Sequence, residues 1–290
     1  MTLLSTIQDA ALELGTGVPT AVVTATTDGN AQQLLALTNR AGKELRLFYR
    51  WPQLVREYTF TLTSGQASYA VPGDFESFAY CTFWDRSNSW EMIGPMSASD
   101  WQYLKSGVTT AGTRRRWRFT GLSDKQFIID PTPSASDVGV TLVFEYYSKN
   151  WIRPKTWTAS TAFTAGSYCF YNGNYYSTSG GGTTGATPPT HTSGSVSDGV
   201  VTWAYYSGAY EKATADTDVS NINEDVLALD VKWRYRQARG LDGWELLRQE
   251  AQAVAAIMSG ASRGASNVNL NASRYLRGYN DPITPDSGFG

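Results

Sequence analysis

The stretch from Asn221 to Ser259 constrains the fold most. Val226, Leu229 and Trp233, then Leu241, Trp244, Leu247, Ala251, Val254 and Met258, follow a three- and four-residue rhythm, the period of a helix with one buried side. Asn223 is placed to cap its start, and Glu224, Asp225 and Asp230 put negative charge near the amino end, where the helix dipole favours it. Gly240 and Gly243 interrupt the run, which predicts two helices or one bent helix. Beyond Gly260 the apolar rhythm stops and a polar tail runs to Gly290.

Two more helices are expected near the amino end. Leu4, Ile7, Ala11 and Leu14 form a stripe that Gly15 can terminate. Asp28 then caps a longer helix carrying Leu34, Leu37, Ala41, Leu45 and Phe48, which Trp51-Pro52 should end because a residue before proline resists the helical region. From Glu57 the pattern alternates instead. EYTFTLTSGQASYAV reads as a hairpin around Ser64-Gly65, and ESFAYCTFWDRSNSWEMIG as another around Arg86 to Asn88. A short helix capped by Ser97 or Ser99 and three strands, Arg115 to Thr120, Lys125 to Asp130 and Val138 to Ser148, complete this part. The class is α+β: a helical layer on an antiparallel sheet.

At Trp151 the texture changes. Thr156 to Tyr206 is rich in Gly, Thr, Ser and Tyr, holds Asp198 as its one acidic residue and has no basic residue. Asn172-Gly173 signals a two-residue hairpin, and Asp198-Gly199 introduces a further strand. GGGTTGATPPTHTSGS between them reads as a loop. The expected organisation is a discontinuous core, residues 1–150 and 207–262, interrupted by a small all-β module at 151–206 and followed by an extended tail, 263–290. Leu270, Tyr275, Leu276, Tyr279, Ile283 and Phe289 are spaced along that tail, the pattern of a segment that orders on a partner.

Catalytic chemistry finds no footing. Gly42-Lys43 is followed by Glu44 on an expected helix, which excludes a phosphate-binding loop, and no G-x-S-x-G occurs. The one histidine, His191, lies in the Gly/Thr loop without an orienting partner. Asp216 and Asp218 begin like a calcium loop, but Asn221 stands where the Gly should be and Leu227 where the closing Glu should be. Cys81 and Cys169 fall in different parts of the chain, which argues against a disulfide framework or a zinc site. We expect no enzyme, metal or cofactor. The amino terminus lacks the basic region of a signal peptide, and no apolar run approaches a membrane span.

What stands out is aromatic. The chain has 10 Trp and 17 Tyr with only 17% charged residues, a surplus that suits shared interfaces. In the module, Trp157, Tyr175, Tyr176, Trp203 and Tyr205 alternate on short strands, and so small a unit should leave some facing outward, where aromatic planes suit sugar rings. Net charge is −2, so the chain is no polycation that grips phosphates, although Arg114, Arg115, Arg116 and Arg118 form a local basic cluster.

Two passages carry a resemblance. YAVPGDFESFAYCTFWDRSNSWEMIGPMSASDWQYLKSG, together with ADTDVSNINEDVLALDVKWRYRQARGLDGWELL, resembles the head-to-tail adaptor, or connector, proteins of tailed, mainly short-tailed, bacteriophages. The resemblance implies a structural virion protein at the head-tail interface, assembled in the host cytoplasm. It further implies a homo-oligomeric ring, usually twelve-fold, beneath the portal protein and above a downstream tail or nozzle protein. DNA would cross its lumen without sequence-specific binding, and the carboxy-terminal arm would clasp the portal. Residues 156–206 are similar to carbohydrate-binding β modules of phage structural proteins. This leaves the alternative of a tail-associated protein that grips host-surface glycan. In a ring, the arginine cluster would meet a neighbouring subunit, the portal or DNA.

Overall fold

The computed structural model describes residues 1–107, 114–120 and 126–260. The first helix, α1 (Leu3–Leu14), is capped by Thr2 and ends on Gly15. The second, α2 (Gly29–Phe48), begins where the Asp28 carboxylate accepts the amides of Asn30 and Ala31 at 2.9 and 3.2 Å. It ends three residues before Trp51, whose indole donates back to the Leu45 carbonyl at 3.0 Å.

Strands β1 (Val55–Thr61), β2 (Ser68–Ala70) and β3 (Phe75–Phe78) follow. Next come the small hairpin β4 (Trp84–Asp85) and β5 (Trp90–Glu91), the Ser97-capped α3 (Ala98–Lys105), β6 (Arg116–Phe119), β7 (Gln126–Asp130) and β8 (Thr141–Ser148). The expected hairpin around Ser64-Gly65 is not formed. β1 pairs antiparallel with β8, while β2 pairs with β7, so the chain changes sheets at this turn. One sheet runs β1-β8-β4-β5 with β3 also on β8; the other runs β2-β7-β6. Alternate residues of β1 and β8 point inward. They bring Tyr58, Phe60, Leu142, Phe144 and Tyr146 against Tyr69, Phe75, Phe83, Trp117 and Phe127 in a core built mainly of rings.

A short ladder joins β9 (Ile152–Arg153) to a later strand and brackets the intervening chain. Within it lie β10 (Ala162–Phe163), β11 (Tyr168–Tyr171), β12 (Asn174–Ser177), β13 (Gly182–Thr183), β14 (Ser195–Asp198) and β15 (Val201–Tyr205). The closing strand is β16 (Val219–Ser220), paired with β9. β11 and β12 form the hairpin expected at Asn172-Gly173, and both turn residues take positive φ. The sheet order is β11-β12-β15-β14, with β10 and β13 as a separate ribbon. β13 lies in the stretch whose sequence reads as loop, and β14 begins at its last residue, Ser195.

The carboxy-terminal run is two helices, α4 (Glu224–Arg239) and α5 (Trp244–Gly260), divided by Gly240 at φ 66°. α1, α2 and α4 enclose the second core, with Ile7, Leu34, Leu45, Val226 and Val231 buried together with Trp51 and Trp151. Gly42 lets α2 close onto Trp151: a β-carbon there would stand 2.3 Å from the indole ring. Between α2 and α4, Asp230 accepts from Trp233 Nε1 and Arg234 Nε, both at 2.7 Å, and Arg234 Nη2 reaches Glu44 at 2.9 Å. Burial pushes the Asp230 carboxyl above its usual range against the pull of Arg234. The protein is thus α+β, with a helical layer, antiparallel sheets and a small β sheet after Trp151.

Candidate interaction surfaces

The aromatic residues of the small sheet face the interior. Trp157, Tyr175, Tyr176 and Trp203 are 9, 3, 0 and 0% exposed, and Tyr205 is half-buried. Trp157 donates to Asp198 at 2.8 Å, and the Tyr176 hydroxyl donates to the His191 carbonyl at 3.1 Å. Trp203 packs edge-on against Phe163, and Cys169 lies beneath them, its thiol pushed up to about 12 by burial. Tyr175 leaves this cluster for the helical layer and stacks on Tyr210 at 5.9 Å. Of the five rings expected to leave some facing outward, four are buried and Tyr205 alone stays part-exposed, because the small sheet covers its aromatic surface partly with itself and partly with the body.

Between this sheet and the body lies a cleft of about 770 Å³, lined by Arg56, Tyr58, Asp74, Tyr146, Tyr175 and Tyr205 among others. Arg56 spans it. Its Nη1 donates to the Gly173 carbonyl at 2.8 Å and its Nη2 to the Tyr175 hydroxyl at 3.3 Å, with Nε 3.8 Å from Asp74. Asp74 also accepts from Tyr146, Ser148 and Asn150 at 2.8, 2.6 and 3.3 Å. Burial, reinforced by the Asp74 charge, raises the Tyr146 hydroxyl well above its ordinary value, so it stays a donor. Sequence periodicity gave no sign of this latch, because Arg56 and Asp74 gain meaning only when β12 is brought beside β1.

The arginine cluster lies on β6 (Arg116, Arg118) and the two residues before it (Arg114, Arg115), and all four members are half-buried. Arg115 donates to Asp137 at 2.5 Å. Asp137 is held below the usual carboxylate range, first by the Ser134 amide and hydroxyl and then by Arg115. Arg116 Nη1 has no partner among the described residues. Arg114 is engaged in its own contact, and Arg118 sits one strand step beyond Trp117. The tail residues Leu270, Tyr275, Leu276, Tyr279, Ile283 and Phe289 lie outside the described residues.

α5 has two apolar sides. Ala251, Ala255 and Ser259 are buried against the body, with Trp244, Leu247 and Val254 half-buried beside them. On the opposite side Leu246 is 72% exposed and Ile257 70%, with Ala253 between them. The sequence reading placed Leu241 and Met258 on the buried side, but they are 46 and 38% exposed. The signal it passed over was Leu246, Ala253 and Ile257, a second stripe with helical spacing. A helix apolar on opposite sides is ordinarily covered on both.

Among the described residues no group of three or more His, Cys, Asp or Glu side chains could hold a metal ion. Both ring nitrogens of His191 are enclosed and without a hydrogen-bond partner there.

A search of curated proteins found no match. A family model described as SU10 adaptor protein matches residues 1–168, more than half of the 290-residue chain, and takes in the helical layer's first two helices and both aromatic sheets. The chain belongs to the SU10 adaptor protein family and is a bacteriophage head-to-tail adaptor.

Proposed function

We propose that this adaptor works as a ring, usually twelve-fold in such proteins, seated beneath the portal and leaving a channel for DNA. The observation that carries the reading is the uncovered side of α5. Leu246, Ala253 and Ile257 give an isolated protomer an apolar stripe facing water, which association with a neighbouring subunit or the portal would remove. In this reading the tail, 263–290, is the arm that clasps the portal, a downstream tail or nozzle protein docks below, and residues 151–206 are an insertion on a core of 1–150 and 207–262. Arg116 and Arg118 are the members of the cluster proposed to reach an acidic neighbour or passing DNA. The alternative, a tail-associated protein that binds host glycan, is less well supported, because four of the five rings it would use are buried.

The test is to mix the purified chain with portal rings from the same virion and image the product. Rings of this protein beneath the portal are the expected result. A chain that remains monomeric at high concentration and with portal would overturn the reading.

A further inference from the structure

The helical layer carries two unlike surfaces on opposite sides of α4. The first is a groove between α1 and α4, lined by Asp9, Leu12, Glu13, Asp225, Leu229 and Lys232 among others. Glu13 is neutralised by Lys232, and Glu224 at the groove's end by the amino terminus. Asp9 and Asp225 are exposed and form no salt bridge among the described residues, and Leu12 is 63% exposed between them. The groove is therefore acidic, with an exposed apolar side chain in its lining and unspent negative charge.

The second surface is the carboxy end of α2. Lys43 and Leu47, one turn apart, point away from the core, and Phe48 ends the helix at 76% exposure. Lys43 and Arg50 form no salt bridge among the described residues; Arg50 lies over the Tyr147 ring and donates to Ser77 at 3.2 Å. The nearby acids are already engaged, Glu44 by Arg40 and Arg234, and Glu76 and Glu211 by Arg46. This end is a basic rim around an aromatic knob, the composition that anchors interfaces.

At about 3.6 residues per turn, Asp225, Leu229 and Lys232 share one side of α4, while Asp230 and Arg234 share the other. Arg234 bonds to Glu44 of α2, so α2, whose carboxy end carries the knob, meets α4 on the side away from the groove residues. Unlike, complementary surfaces on opposite sides of one protomer make a head-to-tail contact that repeats, and a ring results when the rotation closes.

We infer that Phe48 and Leu47 of one copy, flanked by Lys43 and Arg50, seat in the acidic groove of the next copy. This rests on the ring reading and names the surfaces that would build it. The experiment uses the full chain and two charge-reversed variants, Asp9→Lys/Asp225→Lys and Lys43→Glu/Arg50→Glu, each assembled on portal rings and counted by mass photometry. Each variant alone faces like charge at every contact and needs at least about tenfold more protein for half-assembly. Mixed in equal amounts they alternate, every contact is again of opposite sign, and assembly returns to within about threefold of the unsubstituted chain. That recovery also shows both variants folded. Two outcomes overturn the inference while leaving the ring intact: variants that assemble like the parent, and variants that fail alone and still fail when mixed. A parent chain that never assembles overturns the ring reading itself, and this inference with it.

Discussion

A single carbon added at Gly42 would meet a ring that cannot move. Trp151 is fully buried and its indole donates to the Glu211 carbonyl at 2.8 Å, so the 2.3 Å approach of a β-carbon has to be relieved by shifting α2. Overpacking of this kind costs about 1–3 kcal/mol, against a gain of about 1 kcal/mol from alanine's helix propensity. Gly42→Ala should lower the urea midpoint with an unchanged m-value, for a net loss of up to about 2 kcal/mol. The two cysteines make a second test. Cys81 is exposed and Cys169 fully buried with its thiol pushed up to about 12. At pH 8 an aromatic disulfide reagent should therefore titrate one thiol in the native protein and two in denaturant. Because the folded value lies above the unfolded one, the protonated Cys169 favours the fold. That contribution is whole below about pH 8.5 and is lost as pH rises toward about 12.

At the level of elements, α5 separates packing from association. Ala255 is buried against the body, so Ala255→Leu should cost about 1–3 kcal/mol in unfolding experiments. Leu246→Gln with Ile257→Gln, on the exposed side, should leave unfolding within about 0.5 kcal/mol of the parent yet weaken assembly on portal. Intact assembly would dissociate the stripe from the ring. Why this stripe was hard to read from sequence is instructive: a helix with two apolar sides offers two registers, and periodicity alone does not say which one meets the body. The helices themselves were plainly written, since Asp28, Ser97, Asn223, Gly15 and Gly240 mark ends that need only local hydrogen bonds. Strand pairing was not. Val55 pairs with Tyr147, far along the chain, and nothing near Ser64-Gly65 announces that β1 and β2 part company. The burial of the small sheet's rings is illegible for a related reason: the sheet does not bury them alone, since Tyr175 lies in the core of the helical layer.

For the molecule as a whole, the tail and the inserted segment should fail differently when removed. Replacing 156–206 by a short flexible linker keeps the β9–β16 ladder but strips Tyr175 from beside Tyr210 and the Gly173 carbonyl from Arg56. Loss of a buried aromatic alone costs about 3–5 kcal/mol. Such a protein should melt earlier, and its effect on head-tail joining, if any, should track the fraction that stays folded and vanish at low temperature. Truncation after Gly260 keeps every residue that builds the two cores among the described residues. The 30 residues removed could span at most about 100 Å when extended, enough to reach well beyond the protomer. Thermal unfolding should therefore be unchanged while joining of filled heads to tails is abolished, scored as infectious particles and as tailless heads in micrographs. A truncated protein that still joins heads to tails would mean that the grip on the portal comes from the body, and α5 would then be the first place to look for it.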